Sequence, residues 1–192
     1  MLGRILGILT FRRATYLEIA KDKSAIGQAV ILVVIIVLPY SFIGAAAIDG
    51  NWASALRGHI APLVGRAAIF SLSLFASWII LAVLFVLVAG LFKGKSTVGE
   101  MLRVTGFVEV FSIPALLCGL VLAILGAVSA MEVVVGLIVI LQLGGYTIGV
   151  SEAAGITMRK ALITALVVES VGFFVVVLFS NLIMALFKMQ VT

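Results

Sequence analysis

The sequence predicts an all-α membrane protein, a bundle of five transmembrane helices with short interfacial helices. Of its 192 residues, 64% are hydrophobic and only 11% are charged, whereas soluble domains have about 45–50% and about 25%. This composition excludes a soluble globular domain, and the high hydrophobicity also excludes a disordered chain. We therefore expect a single domain, residues 1–192, that lies within a lipid bilayer.

Five apolar segments are long enough to cross about 30 Å of hydrocarbon, which takes roughly 17–25 helical residues. They are residues 25–48, 67–92, 110–131, 133–151 and 161–187. Ser129 followed by Glu132 matches a capping box and predicts the start of the fourth helix. Similar pairs, Thr15 with Glu18 and Thr97 with Glu100, predict short interfacial helices before the first and third spans.

Basic residues predict the orientation in the membrane. Ten of the 13 Lys and Arg residues fall on one side of the predicted spans: Arg4, Arg12, Arg13, Lys21, Lys23, Lys93, Lys95, Arg103, Arg159 and Lys160. The other side holds Arg57, Arg66 and Lys188. By the positive-inside rule, the N-terminus is cytoplasmic and the C-terminus is outside. The net charge of +5 indicates anionic lipid headgroups, and not nucleic acid, as a partner.

Residues 1–23 are predicted to form a cytoplasmic segment that lies on the membrane surface. The segment combines apolar residues at helical spacing with basic residues that can contact lipid headgroups: Leu2, Ile5, Leu6, Leu9, Arg4, Arg12 and Arg13. This pattern is typical of an interfacial amphipathic helix, with a frayed tail as the alternative. The apolar stretch is too short for a signal peptide.

Two acidic residues in apolar surroundings are candidates for an intramembrane polar site. Glu169 lies about eight residues inside the fifth span, where a charge costs roughly 2.5 kcal/mol or more. It is either a proton or cation site, or a structural carboxyl that is neutral or paired with Gln142 or a serine. Glu109 precedes Pro114, which breaks or kinks a helix. Glu109 therefore belongs either to a broken intramembrane segment or to an interfacial helix at the headgroups.

Small residues at four-residue spacing predict close helix packing in the third and fourth spans. This packing face consists of Ala115, Gly119, Ala123, Ala127, Gly145 and Gly149. Packing within the bundle is one interpretation, and docking to another copy or to another membrane protein is the other.

The sequence contains no recognisable catalytic set, so we expect no enzyme, no cofactor and no metal site. Its one histidine, His59, lies in a predicted outer loop. Ser151 follows Gly149, but the segment lacks the complete motif of a serine nucleophile. The one cysteine, Cys118, cannot form an internal disulfide.

Three stretches resemble the prokaryotic members of the Yip1-domain family. They are the run from Thr15 to Ala29, the run from Phe92 to Phe107 followed by Pro114, and the run from Ala153 to Ala165 with Arg159 and Lys160. The resemblance implies a five-helix, multi-pass protein with a cytoplasmic N-terminus, here in a prokaryotic cytoplasmic membrane. Eukaryotic relatives are linked to trafficking, Rab GTPase association and membrane shaping, whereas prokaryotic members share no established activity.

The favoured hypothesis is a non-enzymatic scaffold, membrane organiser or accessory subunit that acts through helix and lipid contacts. It predicts a homo- or hetero-oligomer with other membrane proteins. The alternative is a small transporter or channel that uses Glu169 and possibly Glu109.

Overall fold

The computed structural model describes residues 1–47, 60–124 and 128–190. Every regular element within these ranges is helical. In chain order the helices are α1 (Leu2–Leu9), α2 (Arg13–Lys21), α3 (Ala25–Ala47), α4 (Ile60–Leu91), α5 (Val98–Val108), α6 (Ser112–Ile124), α7 (Val128–Ala154) and α8 (Met158–Gln190), with a 3-10 turn, Glu109–Phe111, between α5 and α6.

Four segments of the described chain are long and apolar enough to cross a membrane: Ala25–Ile43, Leu63–Leu91, Val98–Cys118 and Val133–Ala154. The all-helical, multi-pass class is therefore confirmed. The fifth predicted span, 161–187, lies within the 33-residue helix α8. A count of five transmembrane helices stays a prediction.

Helix α5 occupies the centre of the fold. It packs against α2, α3, α4 and α7, and Met101, Val104 and Phe107 are fully buried. The sequence analysis predicted a short interfacial helix here, and the structure differs because α5 is enclosed by its neighbours. The predicted capping box is present: Thr97 accepts from the Glu100 amide, and the Glu100 carboxylate accepts from the Thr97 amide.

The short helix predicted before the first span is present, but Thr15 does not cap it. Helix α2 begins at Arg13 after an Arg12 N-cap without a side-chain hydrogen bond, so that Thr15 lies inside the helix. The described part of helix α7 begins at Val128, and the Ser129 cap stays a prediction.

Pro114 explains the 3-10 turn at the end of α5. As the third residue of α6, it sits in a first helical turn, where proline is tolerated. Its ring nitrogen cannot donate to the carbonyl four residues earlier, so a continuous α-helix through Glu109 and Val110 would lose a hydrogen bond. The chain turns there and directs Glu109 toward α7.

Small residues allow α5 to approach its neighbours closely. A Cβ atom on Gly106 would lie 2.8 Å from the Ala29 Cβ of α3 and 3.0 Å from Trp78 of α4. On α7, a Cβ on Gly145 would lie 3.0 Å from both Val108 and Phe111, and one on Gly149 would overlap Val104. The α7 part of the predicted packing face thus contacts α5 within the bundle.

Three chain segments meet at one end of the bundle: α2, the loop after α4 and the loop after α7. The Lys95 amide donates to the Ala154 carbonyl at 2.9 Å, and the Arg13 guanidinium pairs with Glu152 at 2.5 Å.

Candidate functional site

Glu109 lies at the centre of a polar cluster between α5, α6 and α7. The Tyr146 hydroxyl donates to its Oε1 at 2.6 Å. The Ser112 hydroxyl and the Gln142 amide donate to its Oε2 at 3.3 Å and 3.4 Å. The Gln142 amide also donates to the Ser112 hydroxyl at 2.8 Å. Both oxygens of Glu109 therefore accept hydrogen bonds from side chains.

Helical spacing positions this cluster. Glu109 and Ser112 are three residues apart at the 3-10 turn, and Gln142 and Tyr146 are four residues apart on α7, so that each pair shares one face. Gly145, between the two α7 donors, permits α7 to contact Val108 and Phe111. The close approach brings the donors within reach of the Glu109 carboxylate.

Glu169 faces the same region from α8, but its buried oxygen lacks the predicted partners. Its Oε1 atom is buried and has no hydrogen-bond partner among the described residues. The sequence analysis offered Gln142 or a serine as a partner, and the structure pairs Gln142 with Glu109 and Ser112 instead.

Glu109, Gln142 and Glu169 together line one cavity of about 280 Å³. Its other described walls are aromatic, hydroxyl and aliphatic side chains from α3, α4, α6 and α7: Val33, Ile36, Val37, Tyr40, Leu74, Ser77, Trp78, Leu81, Ser112 and Tyr146. The structure thus brings together the three residues that the sequence singled out as candidate polar groups, although they come from three different parts of the chain.

A second cavity, of about 440 Å³, opens between α7 and α8. Gln142 and Glu169 line it as well, together with Ser170. Phe173 and Phe174, on its α8 side, are largely exposed. The two cavities therefore share two polar residues.

The N-terminal helices α1 and α2, which we call the α1–α2 hairpin, form a second candidate surface. Leu2, Leu6 and Leu9 are 78%, 62% and 38% exposed and lie on the outer face of α1. On its inner face, Ile8 is fully buried. Ile5, which the sequence pattern placed with the outer residues, is half-buried and packs on the core.

Arg4 links α1 to α2 and to the start of α3. The Arg4 guanidinium contacts Glu18 at 2.9 Å and Asp22 at 2.6 Å, and it donates to Gln28 of α3 at 3.2 Å. A hydrogen bond from Ser24, followed by one from Arg4, lowers the pKa of Asp22 to about 2. Arg4 was predicted to contact lipid headgroups, and the structure engages its guanidinium with these side chains.

The other predicted headgroup contacts differ in their surroundings. Arg12 is exposed at the turn between α1 and α2, whereas Arg13 pairs with Glu152 and keeps a side chain that is 62% exposed. Burial raises the pKa of Tyr16, whose hydroxyl donates to the Ile8 carbonyl at 3.2 Å.

Arg103 has a structural role that sequence reasoning missed. It was counted as a loop cation, but it is buried, and its guanidinium donates to the Ile19 carbonyl at 3.2 Å and to the Ala20 carbonyl. A cation at the last carbonyls of α2 is also favourable for the helix dipole. The sequence contained only an indirect signal, the position of Arg103 inside a helix that begins at a capping box.

The remaining residues that the sequence singled out lie elsewhere in the chain. Ala115 is buried at the start of α6; Gly119 and Ala123 lie further along this helix, and Ala127 lies outside the described residues. His59 is also outside them. The Ser151 hydroxyl donates to the Ile156 carbonyl at 2.7 Å. Among the described residues, no group of three His, Cys, Asp or Glu side chains could hold a metal ion.

Comparison with known proteins identifies the family. A family model described as the Yip1 domain matches residues 6–180, so the match covers most of the chain, and the protein belongs to the Yip1-domain family. This confirms the resemblance to the Yip1-domain family, and the prokaryotic origin stays a prediction. No curated protein and no solved structure matches the chain.

Proposed function

We propose that this Yip1-domain protein is a non-enzymatic membrane organiser, which works as a scaffold or accessory subunit through its helix and lipid contacts. The observation that carries the proposal is the α1–α2 hairpin. Its outer leucines, Leu2, Leu6 and Leu9, form an apolar stripe, and such a stripe is favourable in the headgroup and acyl boundary.

The attachment of the hairpin distinguishes it from a free amphipathic tail. Arg4 joins α1 to Glu18, Asp22 and Gln28, and Arg13 joins α2 to Glu152 of α7. A helix that adds volume to one leaflet while attached to a membrane-spanning bundle couples the protein to leaflet packing. The exposed basic residues near this end, among them Arg12, Arg159 and Lys160, favour an anionic leaflet.

Tethers drawn from giant vesicles test this proposal. With the hairpin in the outer leaflet, the protein should be enriched in the curved tether relative to the flat membrane. The triple variant Leu2→Gln, Leu6→Gln, Leu9→Gln should lose this enrichment. The control, Thr10→Gln with Ala14→Gln, changes exposed residues of the same hairpin and should behave as the wild type. Equal enrichment of the triple variant and the wild type would contradict the proposal.

Native mass spectrometry from lipid nanodiscs tests the scaffold or subunit role. We expect a second copy, another membrane protein or bound anionic lipid to leave with the protein. A strictly monomeric protein without any of these would overturn that part of the proposal.

A second candidate function is a small transporter or channel, and the cavity that contains Glu109 and Glu169 favours it. Ionisable groups inside a membrane often mark proton or cation pathways. Solute flux into proteoliposomes should then be abolished by Glu169→Gln. Flux that is absent, or that Glu169→Gln leaves unchanged, would remove this candidate.

A further inference from the structure

We propose that the cavity between α3, α4, α7 and α8 binds an amphipathic ammonium cation, which enters from the lipid through the opening between α7 and α8. This inference concerns binding and goes beyond both candidate functions. It holds whether or not the bound cation crosses the membrane.

The charged groups that line the cavity favour a cation. Two carboxyl groups, Glu109 and Glu169, line the cavity, and none of its described wall residues is Lys, Arg or His. Isolated charges in a medium of low dielectric constant are costly unless they are paired. A cation in the cavity would interact with both carboxyl groups.

The two carboxyl groups differ in the hydrogen bonds that they accept. Glu109 accepts from Tyr146, Ser112 and Gln142, so the nearby donors are already used. The buried Oε1 of Glu169 has none within the described ranges. When it is ionised, its charge has no neutralising partner among the described wall residues, and an alkylammonium group supplies the opposite charge at this position.

The side chains that form the walls of the cavity favour an organic cation. Tyr40, Trp78 and Tyr146 are aromatic, and aromatic faces attract organic cations. The remaining walls are largely aliphatic. A bare metal ion requires several oxygen ligands at short distances, whereas apolar and aromatic walls suit the methyl and methylene groups of an organic cation. A volume of about 280 Å³ lies near the lower limit for small-molecule pockets.

The second cavity gives a ligand a route from the lipid to Glu169. Gln142 and Glu169 also line the second cavity, whose α8 wall includes Leu166, Phe173 and Phe174. All three side chains are exposed on a helix rich in exposed apolar residues. An amphipathic cation can therefore leave its alkyl tail between α7 and α8 while its ammonium group reaches Glu169.

Fluorescence of Trp78 tests binding directly, because this side chain lines the cavity. In a Trp52→Phe background Trp78 is the only tryptophan. Decyltrimethylammonium, added to the full chain in nanodiscs of an uncharged galactolipid, should change this fluorescence saturably. Decanol and decyl sulfate match its tail and should bind at least tenfold more weakly. Equal binding of all three would overturn the proposal.

Variants separate the site from nonspecific partition into the lipid. Glu169→Gln should weaken decyltrimethylammonium binding at least tenfold, and Glu169→Asp, which keeps the charge, should weaken it less. The control Glu18→Gln removes a carboxylate at the α1–α2 hairpin and should leave the affinity unchanged. If Glu169→Gln melts as the wild type does and binds equally well, the proposal is wrong.

Two further measurements test the route and the source of the cation. Ser170→Phe fills the opening between α7 and α8 and should slow association several-fold; an unchanged rate would contradict lateral entry.

Nanodiscs of phosphatidylcholine should weaken decyltrimethylammonium binding if lipid headgroups compete for the site. Unchanged affinity there assigns the site to free amphipathic cations. Binding without flux would leave the proposal intact and remove only the transporter candidate.

Discussion

At the scale of single residues, the two membrane carboxyl groups have opposite surroundings. Glu109 accepts three side-chain hydrogen bonds, whereas the buried oxygen of Glu169 accepts none in the described parts of the chain. Glu109 therefore stabilises the contact of α5 and α6 with α7, and Glu169 contributes little to the fold. The sequence alone favoured Glu169 as the more informative of the two.

Leucine substitutions at the two positions should separate these roles. Hydrogen bonds between membrane helices contribute about 0.6 kcal/mol on average and up to about 1.7. Glu109→Leu, which removes the acceptor for three donors, should cost about 1–3 kcal/mol. Glu169→Leu should be neutral or stabilising, because it removes a buried unpaired oxygen. Melting of both variants without added amines measures the difference, and a larger loss for Glu169→Leu would contradict these assignments.

Arg103 gives a second residue-scale prediction. Its guanidinium ties α5 to the Ile19 and Ala20 carbonyls at the end of α2, and hydrogen bonds to charged groups contribute about 1.5–3 kcal/mol. Arg103→Gln should lower the free energy of unfolding by about that amount and speed amide exchange in α2. Arg159→Gln, an exposed position at the start of α8, serves as the control. Unchanged exchange in α2 would show that Arg103 does not hold this helix.

At the scale of helices, the contact between α5 and α7 depends on two glycines of α7 that lie one turn apart, Gly145 and Gly149. A Cβ atom at Gly149 would overlap Val104, which is β-branched and cannot easily move aside, and would also approach Tyr16 at 3.4 Å. At Gly136, on the same helix, nothing lies within 4 Å of an added Cβ. The same substitution therefore has different consequences at the two positions.

We expect Gly149→Ala to destabilise the protein by about 1–3 kcal/mol, the usual cost of overpacking. Gly136→Ala should be neutral or slightly stabilising, since alanine favours helix by about 1 kcal/mol over glycine. Thermal melting of both variants in the same detergent compares them. Equal melting temperatures would indicate that α5 and α7 can move apart without loss.

The attachment of α1 should depend on pH through Asp22. Its pKa is lowered from 3.8 to about 2, so the charged form is favoured in the folded state. The stabilisation is therefore complete above about pH 3.8 and is lost as the pH falls through about 2. Ser24 is the largest cause of this shift and Arg4 the next, so a spin label on α1 should gain some mobility over this range. Asp22→Asn leaves Arg4 with Glu18 and Gln28 and should show the same partial gain already at pH 7. Mobility of the wild type that does not change in acid would contradict the role of this ion pair.

At the scale of the whole molecule, composition and charge predicted the class, and residue spacing predicted part of the site. Glu109, Gln142 and Glu169 stood out because polar groups are expensive in an apolar span. Ser112 and Tyr146 did not, since a hydroxyl is common in membrane helices and only tertiary contact shows which hydroxyl meets a carboxylate. The central position of α5 was missed for the same reason: a capping box marks where a helix begins and not what surrounds it.

The side of the membrane on which each loop and terminus lies is also a prediction for the whole molecule. In a Cys118→Ser background, a cysteine introduced at Thr157, in the loop after α7, should react only after the cells are permeabilised. A cysteine at Ser54, outside the described residues, should react from outside intact cells. The reverse pattern would invert the orientation that the basic residues predict.

The enclosure of α5 has a consequence for how the chain is built. The segment Val98–Cys118 is both the least apolar candidate span, with a mean hydropathy of 1.6, and the most enclosed, with 61% of its residues buried. Its surroundings come from helices made before it, α2 to α4, and from α7, which the ribosome makes later. Until α7 emerges, Glu109 lacks the Gln142 and Tyr146 donors. The segment therefore reaches its full enclosure and its full set of hydrogen bonds only after α7 has been made, since protein, and not lipid, surrounds most of it.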